Sequence, residues 1–173
     1  MFDQATSGFD GRAIANLVLD ECEQKNIKLT NLALQKVVYF CHVWSLIKLR
    51  RPLIAQQFEA WEFGPVLPYL YREFKKFEAD PIKGRATSLV ASTGERTLAT
   101  YENIDDEVRF LVVDVTNFYA RLSASELVKL SHADGGPWHS VWNHGGQVNP
   151  GMRIETNSII DFYSQTQPST TLQ

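Results

Sequence analysis

"LTNLALQKVVYFCHVWSL", residues 29–46, is the stretch on which the fold turns. Thr30 can cap a helix start, because its hydroxyl accepts an N–H that has no partner within the helix. The helical pattern from Asn31 to about Leu49 predicts a rod of roughly 28 Å. Leu34, Val37, Val38, Phe40, Cys41, Trp44 and Ile47 cover much more than one stripe of that rod. A helix apolar nearly all round belongs at the centre of a fold, with other elements packed against it. Pro52 cannot continue it.

The flanking segments supply elements to surround that helix. Asp10 can cap a helix running to about Lys25, with Ala13, Ile14, Leu17, Val18 and Cys22 in one stripe and Asn26 suited to its end. Residues 53–63 alternate weakly, as one or two short strands do. Pro68 fits a first helical turn. In "YLYREFKKF", Leu70, Tyr71, Phe74 and Phe77 then share a side opposite Arg72, Lys75 and Lys76. Residues 82–103 fit either a hairpin or an irregular loop. Asp105 starts another helix, with Val108, Leu111, Val112, Val115, Phe118 and Tyr119 as its stripe. Ser123 and Glu126 form a capping box worth about 1 kcal/mol. Pro137 opens a short helix after Gly135 and Gly136. Thr156 or Asn157 opens the last, with Ile159, Ile160 and Tyr163 turned inward. The expected fold is mainly α, one compact helical domain over residues 10–165 with a small β element. Residues 1–9 are expected to form a flexible arm and residues 166–173 a flexible tail.

Composition narrows the function classes. A chain of 173 residues fits one domain and can bury its own core. A net charge of −3, with basic residues scattered, gives no global pull toward nucleic acid or an anionic membrane. Cys22 and Cys41 form no CxxC and fall on apolar helix faces, as buried free thiols in a reducing compartment would. The N-terminus lacks a signal-peptide pattern. The longest uncharged apolar run, residues 37–47, is too short to span a bilayer. The expectation is a soluble, cytoplasmic protein.

Few residues suggest catalysis. His132, His139 and His144 lie near Asp134, a set of types that zinc accepts, but their spacing matches no zinc motif and there is no HExxH. Cys41 and His42 point about 100° apart on one helix, so they cannot pair as nucleophile and base. Glu59 and Glu62, three apart on a strand, fall on opposite faces. No glycine-rich phosphate loop is present. Aromatics are the more telling feature. "FEAWEFGPVLPYLY", residues 58–71, holds Phe58, Trp61, Phe63, Tyr69 and Tyr71 around Gly64, Pro65 and Pro68. Such rings pack cores, and Tyr and Trp are also enriched at binding hot spots.

Three segments, taken together and in order, resemble the Panacea domain, the SocA-like antitoxin domain related to phage-associated GepA-like proteins. They are the Leu-Gln-Lys helix at 29–46, the Ala-Trp-x-aromatic-Gly-Pro-Val stretch and its helix at 58–77, and "LSHADGGPWHSVW" at 130–142. "NSIIDFYSQ" is similar to the family's closing helix, so the match runs from about residue 10 to about residue 165. The resemblance implies a mainly helical fold with a small β element. It also implies an antitoxin of a bacterial or prophage toxin–antitoxin pair that binds a cognate protein toxin directly. No catalytic residue, cofactor or metal comes with it, so no enzyme is expected.

Trp61, Phe63, Tyr69, Tyr71, His132 and Trp138 are the expected partner-binding residues. Gln35, Lys36, Gly64, Pro65 and Pro137 are the expected structural motif, with Gly64-Pro65-Val66 read as a strand-to-helix corner. Alternatives are an adaptor that hands the toxin to a protease, and a metal-dependent enzyme using the His132/His139/His144 region. An operator-binding role is opposed by the acidic balance and the absence of a helix-turn-helix signature or room for an extra DNA-binding domain. Homo-oligomerisation is left open, with no coiled-coil heptad to mark it.

Overall fold

The computed structural model describes residues 8–143 and 150–166. Seven α-helices and two two-stranded antiparallel ribbons appear among the described residues. Helix α1 (Gly11–Gln24) starts at Asp10, whose carboxylate accepts from Arg12 N at 2.9 Å, and ends before Asn26 at φ 55°. Helix α2 (Asn31–Trp44) is capped by Thr30 and continues as a π-helical turn, Ser45–Leu49. The expected single helix is therefore α-helical only to Trp44. Arg50 at φ 54° ends it, and Ser45 Oγ donates to Arg51 O at 2.8 Å.

Burial confirms α2 as the axis. Every residue from Ala33 to Val43 is buried, and the helix touches α1, α3 (Pro68–Phe74), α4 (Asp106–Tyr119), α5 (Ala124–Ser131) and α7 (Thr156–Gln165). Residues 31–49 are long and apolar enough to cross a membrane by length and composition alone. Here, 72% of the most apolar window is covered by the rest of the chain, so that apolar surface is the core itself. Asp105 caps α4 by accepting from Val108 N at 3.0 Å. Ser123 and Glu126 make the capping box of α5 in both directions. Pro137 and Pro68 each stand in a first helical turn, of α6 (Pro137–Trp142) and α3 respectively. Phe118, expected on the buried stripe of α4, is 47% exposed instead, because the helix turns that position past its contact with α2. Ile160 and Tyr163 on α7 are half-buried, and only Ile159 of that trio is fully enclosed.

The small β element consists of two ribbons, one starting within residues 53–63 and one within residues 82–103. Strand β1 (Glu59–Trp61) pairs with β2 (Gly64–Val66), with Trp61 opposite Gly64 and Glu59 opposite Val66. Pro65 is thus a strand residue, and only Pro68 begins the helix. Strand β3 (Thr87–Leu89) pairs with β4 (Arg96–Leu98), so residues 82–103 contain a hairpin. Buried Asn16 of α1 clasps the base of that hairpin. Its Nδ2 donates to Ala86 O (2.9 Å) and Ala99 O (2.8 Å), and its Oδ1 accepts from Ala86 N (2.8 Å). Phe9, placed by sequence in the N-terminal arm, forms a parallel bridge with Ile54, exchanging bonds with Leu53 O and Ala55 N.

Candidate functional site

The site grows from the motif residues of α2. A polar side chain in the most apolar helix costs free energy unless it is hydrogen-bonded, and each of three is satisfied by the segment 64–71. Gln35 Oε1 accepts from Leu67 N at 3.0 Å. Its Nε2 donates to Asn31 Oδ1 at 3.1 Å, and Asn31 Nδ2 donates to Tyr71 O at 2.9 Å. Lys36, fully buried, donates from Nζ to Pro65 O at 2.9 Å. The Leu-Gln-Lys pattern therefore grips the Gly-Pro-Val-Leu stretch at both ends. Burial pushes the Lys36 amine down to about 7.

Gly64 makes this grip possible. It has φ 101°, a region open to glycine and costly for other residues. A Cβ there would lie 2.5 Å from Ser131 Oγ and 2.7 Å from Lys36 Cε. Helix α5 and the lysine thus close directly onto the backbone of the ribbon. Asn31 and Ser131 were not singled out from the sequence. Asn31 carries a readable signal, since it sits one helical turn before Gln35, where the two amides can bond. Ser131 carries none, because its proximity to Gly64 exists only in the folded chain.

Aromatic rings cover the outside of this corner. Trp138 Nε1 donates to Trp61 O at 2.8 Å, which locks α6 onto β1. Its ring stacks on His132, with centroids 3.4 Å apart and planes 4° from parallel, and on Trp142 at 5.7 Å. Trp61 meets Tyr71 edge-on at 5.2 Å and donates from Nε1 to Glu59 Oε2 at 2.9 Å. Trp138 is buried, but Phe63 in the adjoining turn is 56% exposed and Trp142 is 36% exposed. Burial lowers the His132 pKa, and the charges of Lys36 and His139 lower it further. Its Nε2 meets no hydrogen-bond partner among the described residues.

The structure brings together Trp61, Tyr71, His132 and Trp138, with Phe63 alongside. It separates Tyr69, whose hydroxyl donates to Gln56 Oε1 at 2.9 Å while Arg12 lies over its ring at 5.3 Å. Tyr69 thus belongs to the start of α1. The expectation that Trp61, Phe63, Tyr69 and Tyr71 sit around one corner is corrected for this residue. Phe58 is buried elsewhere, against Tyr39 and His42. Pro137 fixes the first turn of α6, which carries Trp138.

The alternative chemical sites are dispersed. His139 is engaged at both ring nitrogens, by Gly135 N at 3.2 Å on Nδ1 and by Asn143 Nδ2 at 2.6 Å on Nε2. Asp134 Oδ1 lies 3.5 Å from Nε2. No group of three or more His, Cys, Asp and Glu converges among the described residues, and His144 lies outside them. Cys41 is sealed in the core, and burial raises its pKa to about 12, so its thiol stays protonated. His42 is buried, accepts from Ile54 N at 3.1 Å on Nδ1, and is pushed down to about 4.

The family described as "Antitoxin SocA-like, Panacea domain" matches residues 34–139, a span that includes Gln35, Lys36, the ribbon and α6 as far as His139. Antitoxin SocA of Caulobacter vibrioides (strain NA1000 / CB15N) is 39% identical over 161 residues, which cover 92% of this chain and 85% of that protein. No solved structure matches. The chain belongs to the SocA-like Panacea family of antitoxins.

Proposed function

We propose that this protein is a cytoplasmic antitoxin that neutralises a cognate protein toxin by direct contact, through the aromatic face built on β1–β2 and α6. The single observation that carries the location is the exposure of Phe63, in the turn of the ribbon that Trp138 bonds, and of Trp142, stacked on that buried Trp138. Rigid buried rings with accessible apolar rings beside them are the arrangement of an interface hot spot and its rim. Tyr71 and Trp61 extend this face, and His132 supports it by stacking. Antitoxin activity itself rests on the relative named Antitoxin SocA. An interface of ordinary size would bury about 1,200–2,000 Å² in total, enough to include the whole aromatic face.

The test is co-expression with the product of the adjacent reading frame. The antitoxin reading expects growth arrest by the neighbour, relief by this chain, and co-purification of the pair. Phe63→Ala, at the more exposed of the two rings, should weaken capture at least tenfold while leaving the melting temperature within a few degrees. Retention of full capture by that variant overturns the location. Relief without a stable complex favours the second reading, an adaptor that passes the toxin to a protease. A variant with His132→Ala and His139→Ala that folds and still protects cells rules out chemistry at those histidines.

A further inference from the structure

A second surface, between α3 and the β3–β4 hairpin, carries charge that the fold leaves unbalanced. A furrow of about 390 Å³ runs between α3 with its following turn and the β3–β4 hairpin. Five cations line it, Arg72, Lys76, Lys83, Arg85 and Arg96, against one carboxylate, Glu73. Two of the five are neutralised within the fold. Arg96 pairs with Glu73, and Arg85 with Asp20 at 2.6 Å and Glu23 at 2.5 Å. Arg72, Lys76 and Lys83 have no ion-pair partner among the described residues. Three uncompensated cations in one concave place, on a chain of net charge −3, are a local field that attracts carboxylates.

Two further observations define the shape and chemistry of what fits. Lys83, Gly84 and Arg85 also line a second cleft of about 650 Å³, bordered by Lys28 and the α1–α2 turn and by the carboxylates Glu23, which pairs with Arg85, and Asp80. Residues 83–85 thus border both clefts, and the furrow beside the hairpin forms a trough among several cations rather than a socket for one ion. On the hairpin, Thr87 faces Leu98 and Leu89 faces Arg96. Alternation along the strands puts all four side chains on one face, and Thr87 and Arg96 of that face line the furrow. Leu89 and Leu98 on the same face are 61% and 60% exposed.

We propose that this furrow docks an extended segment of the toxin in which acidic and apolar side chains are interspersed. The acids would meet Arg72, Lys76 and Lys83, and the apolar side chains would cover Leu89 and Leu98. This inference rests on the antitoxin reading above and adds a second contact region with its own chemistry. A nucleic acid strand would use the cations but would leave both leucines uncovered, and the net negative chain opposes it.

The experiment uses the full chain and two fluorescein-labelled probes, a decapeptide of alternating Asp and Leu and a twelve-nucleotide oligothymidylate, read by anisotropy. The peptide is expected to bind. The variant Arg72→Glu/Lys76→Glu/Lys83→Glu, all at exposed positions, is expected to weaken it at least tenfold with an unchanged thermal melt. Leu89→Ser/Leu98→Ser should weaken it with little change in salt dependence. Absence of peptide binding to the wild type, or equal binding by the charge-reversal variant, overturns the proposal. Preferential binding of the oligonucleotide with a steep salt slope overturns it in favour of a nucleic-acid surface. Co-purification with the toxin separates this inference from the reading beneath it. A charge-reversal variant that captures toxin as well as the wild type defeats the furrow alone, whereas a wild type that captures no toxin defeats the antitoxin reading.

Discussion

The protein contains two antiparallel ribbons of the same size, three residues per strand, and treats them in opposite ways. A lone two-stranded ribbon is at best marginally stable in water. Ribbon β1–β2 is stabilised by enclosure. Lys36 and Gln35 hold one side of it, and on the other side β1 is bridged through Glu59 to Arg153, with Ile154 N donating to Phe58 O at 2.9 Å. All three residues of β2 are buried. Ribbon β3–β4 is clasped at its base by Asn16 and at its flank by Glu73, which accepts from Thr87 N and pairs with Arg96, and all three residues of β4 are exposed. The same local structure thus serves first as a fixed platform for aromatic rings and then as a projecting, charged and apolar surface. Both ribbons receive polar side chains from neighbouring helices, so what separates them is burial: β2 is enclosed and β4 is open to water.

The largest expected effect contrasts a glycine from each ribbon. Gly64 and Gly94 both have positive φ, 101° and 71°. Around Gly64, a Cβ would collide with Ser131 and Lys36, whereas around Gly94 nothing lies within 4 Å. Gly64→Ala combines backbone strain with overpacking and should cost about 3 kcal/mol or more. Gly94→Ala should cost about 1 kcal/mol, for strain alone. Urea unfolding midpoints of the two variants measure this directly. Similar losses would mean that the platform is less tightly enclosed than its geometry indicates.

The second effect isolates the lysine. Lys36 falls from an ordinary 10.5 to about 7 in the fold because burial disfavours its charge. Between those values the unfolded chain holds a proton that the folded chain lacks, so stability rises with pH. The full contribution is present above the unfolded value and is lost as pH falls toward about 7. The limiting slope for one group is about 1.4 kcal/mol per pH unit. The buried thiol of Cys22 works against this from pH 9 upward, because its folded value is raised to about 11 while its unfolded value is 9.0. Unfolding free energies compared below that pH, from about 7 to 8.5, therefore read the lysine. Lys36→Met should flatten the slope there, and an unchanged slope would place the missing proton elsewhere.

Much of this architecture was legible in the sequence, and the reasons divide along the same line. The central helix, its Thr30 cap, the Ser123–Glu126 box and the proline-led starts of α3 and α6 all follow from local rules of capping and periodicity. Gln35, Lys36 and Gly64 were marked by family resemblance, but their roles were not readable. A hydrogen bond from residue 36 to residue 65 is a fact of tertiary packing. The same holds for Tyr69, which is two residues from Tyr71 in sequence yet turns to Arg12 and Gln56, because helix positions two apart point about 200° apart. The furrow went unseen for a related reason. Along the chain Arg72 and Lys76 alternate with Glu73 and Glu78, yet in the fold Glu73 is engaged by Arg96 and Thr87, while Lys83 joins them from a separate loop.

The smallest single effect, at Leu98, comes from replacing one apolar side chain on each ribbon by serine. Val66 in β2 is 3% exposed, and Leu98 in β4 is 60% exposed. Val66→Ser removes buried apolar surface and places a hydroxyl in the enclosed platform, which should cost about 2–3 kcal/mol. Leu98→Ser removes a side chain already largely in water and should change stability by about 0.5 kcal/mol or less. Its consequence should appear only in binding to the acidic–apolar peptide. If Leu98→Ser instead destabilises the fold as Val66→Ser does, then Leu98 is a packed residue. The hairpin would then be a second structural ribbon, and the trough beside it would lose its apolar wall.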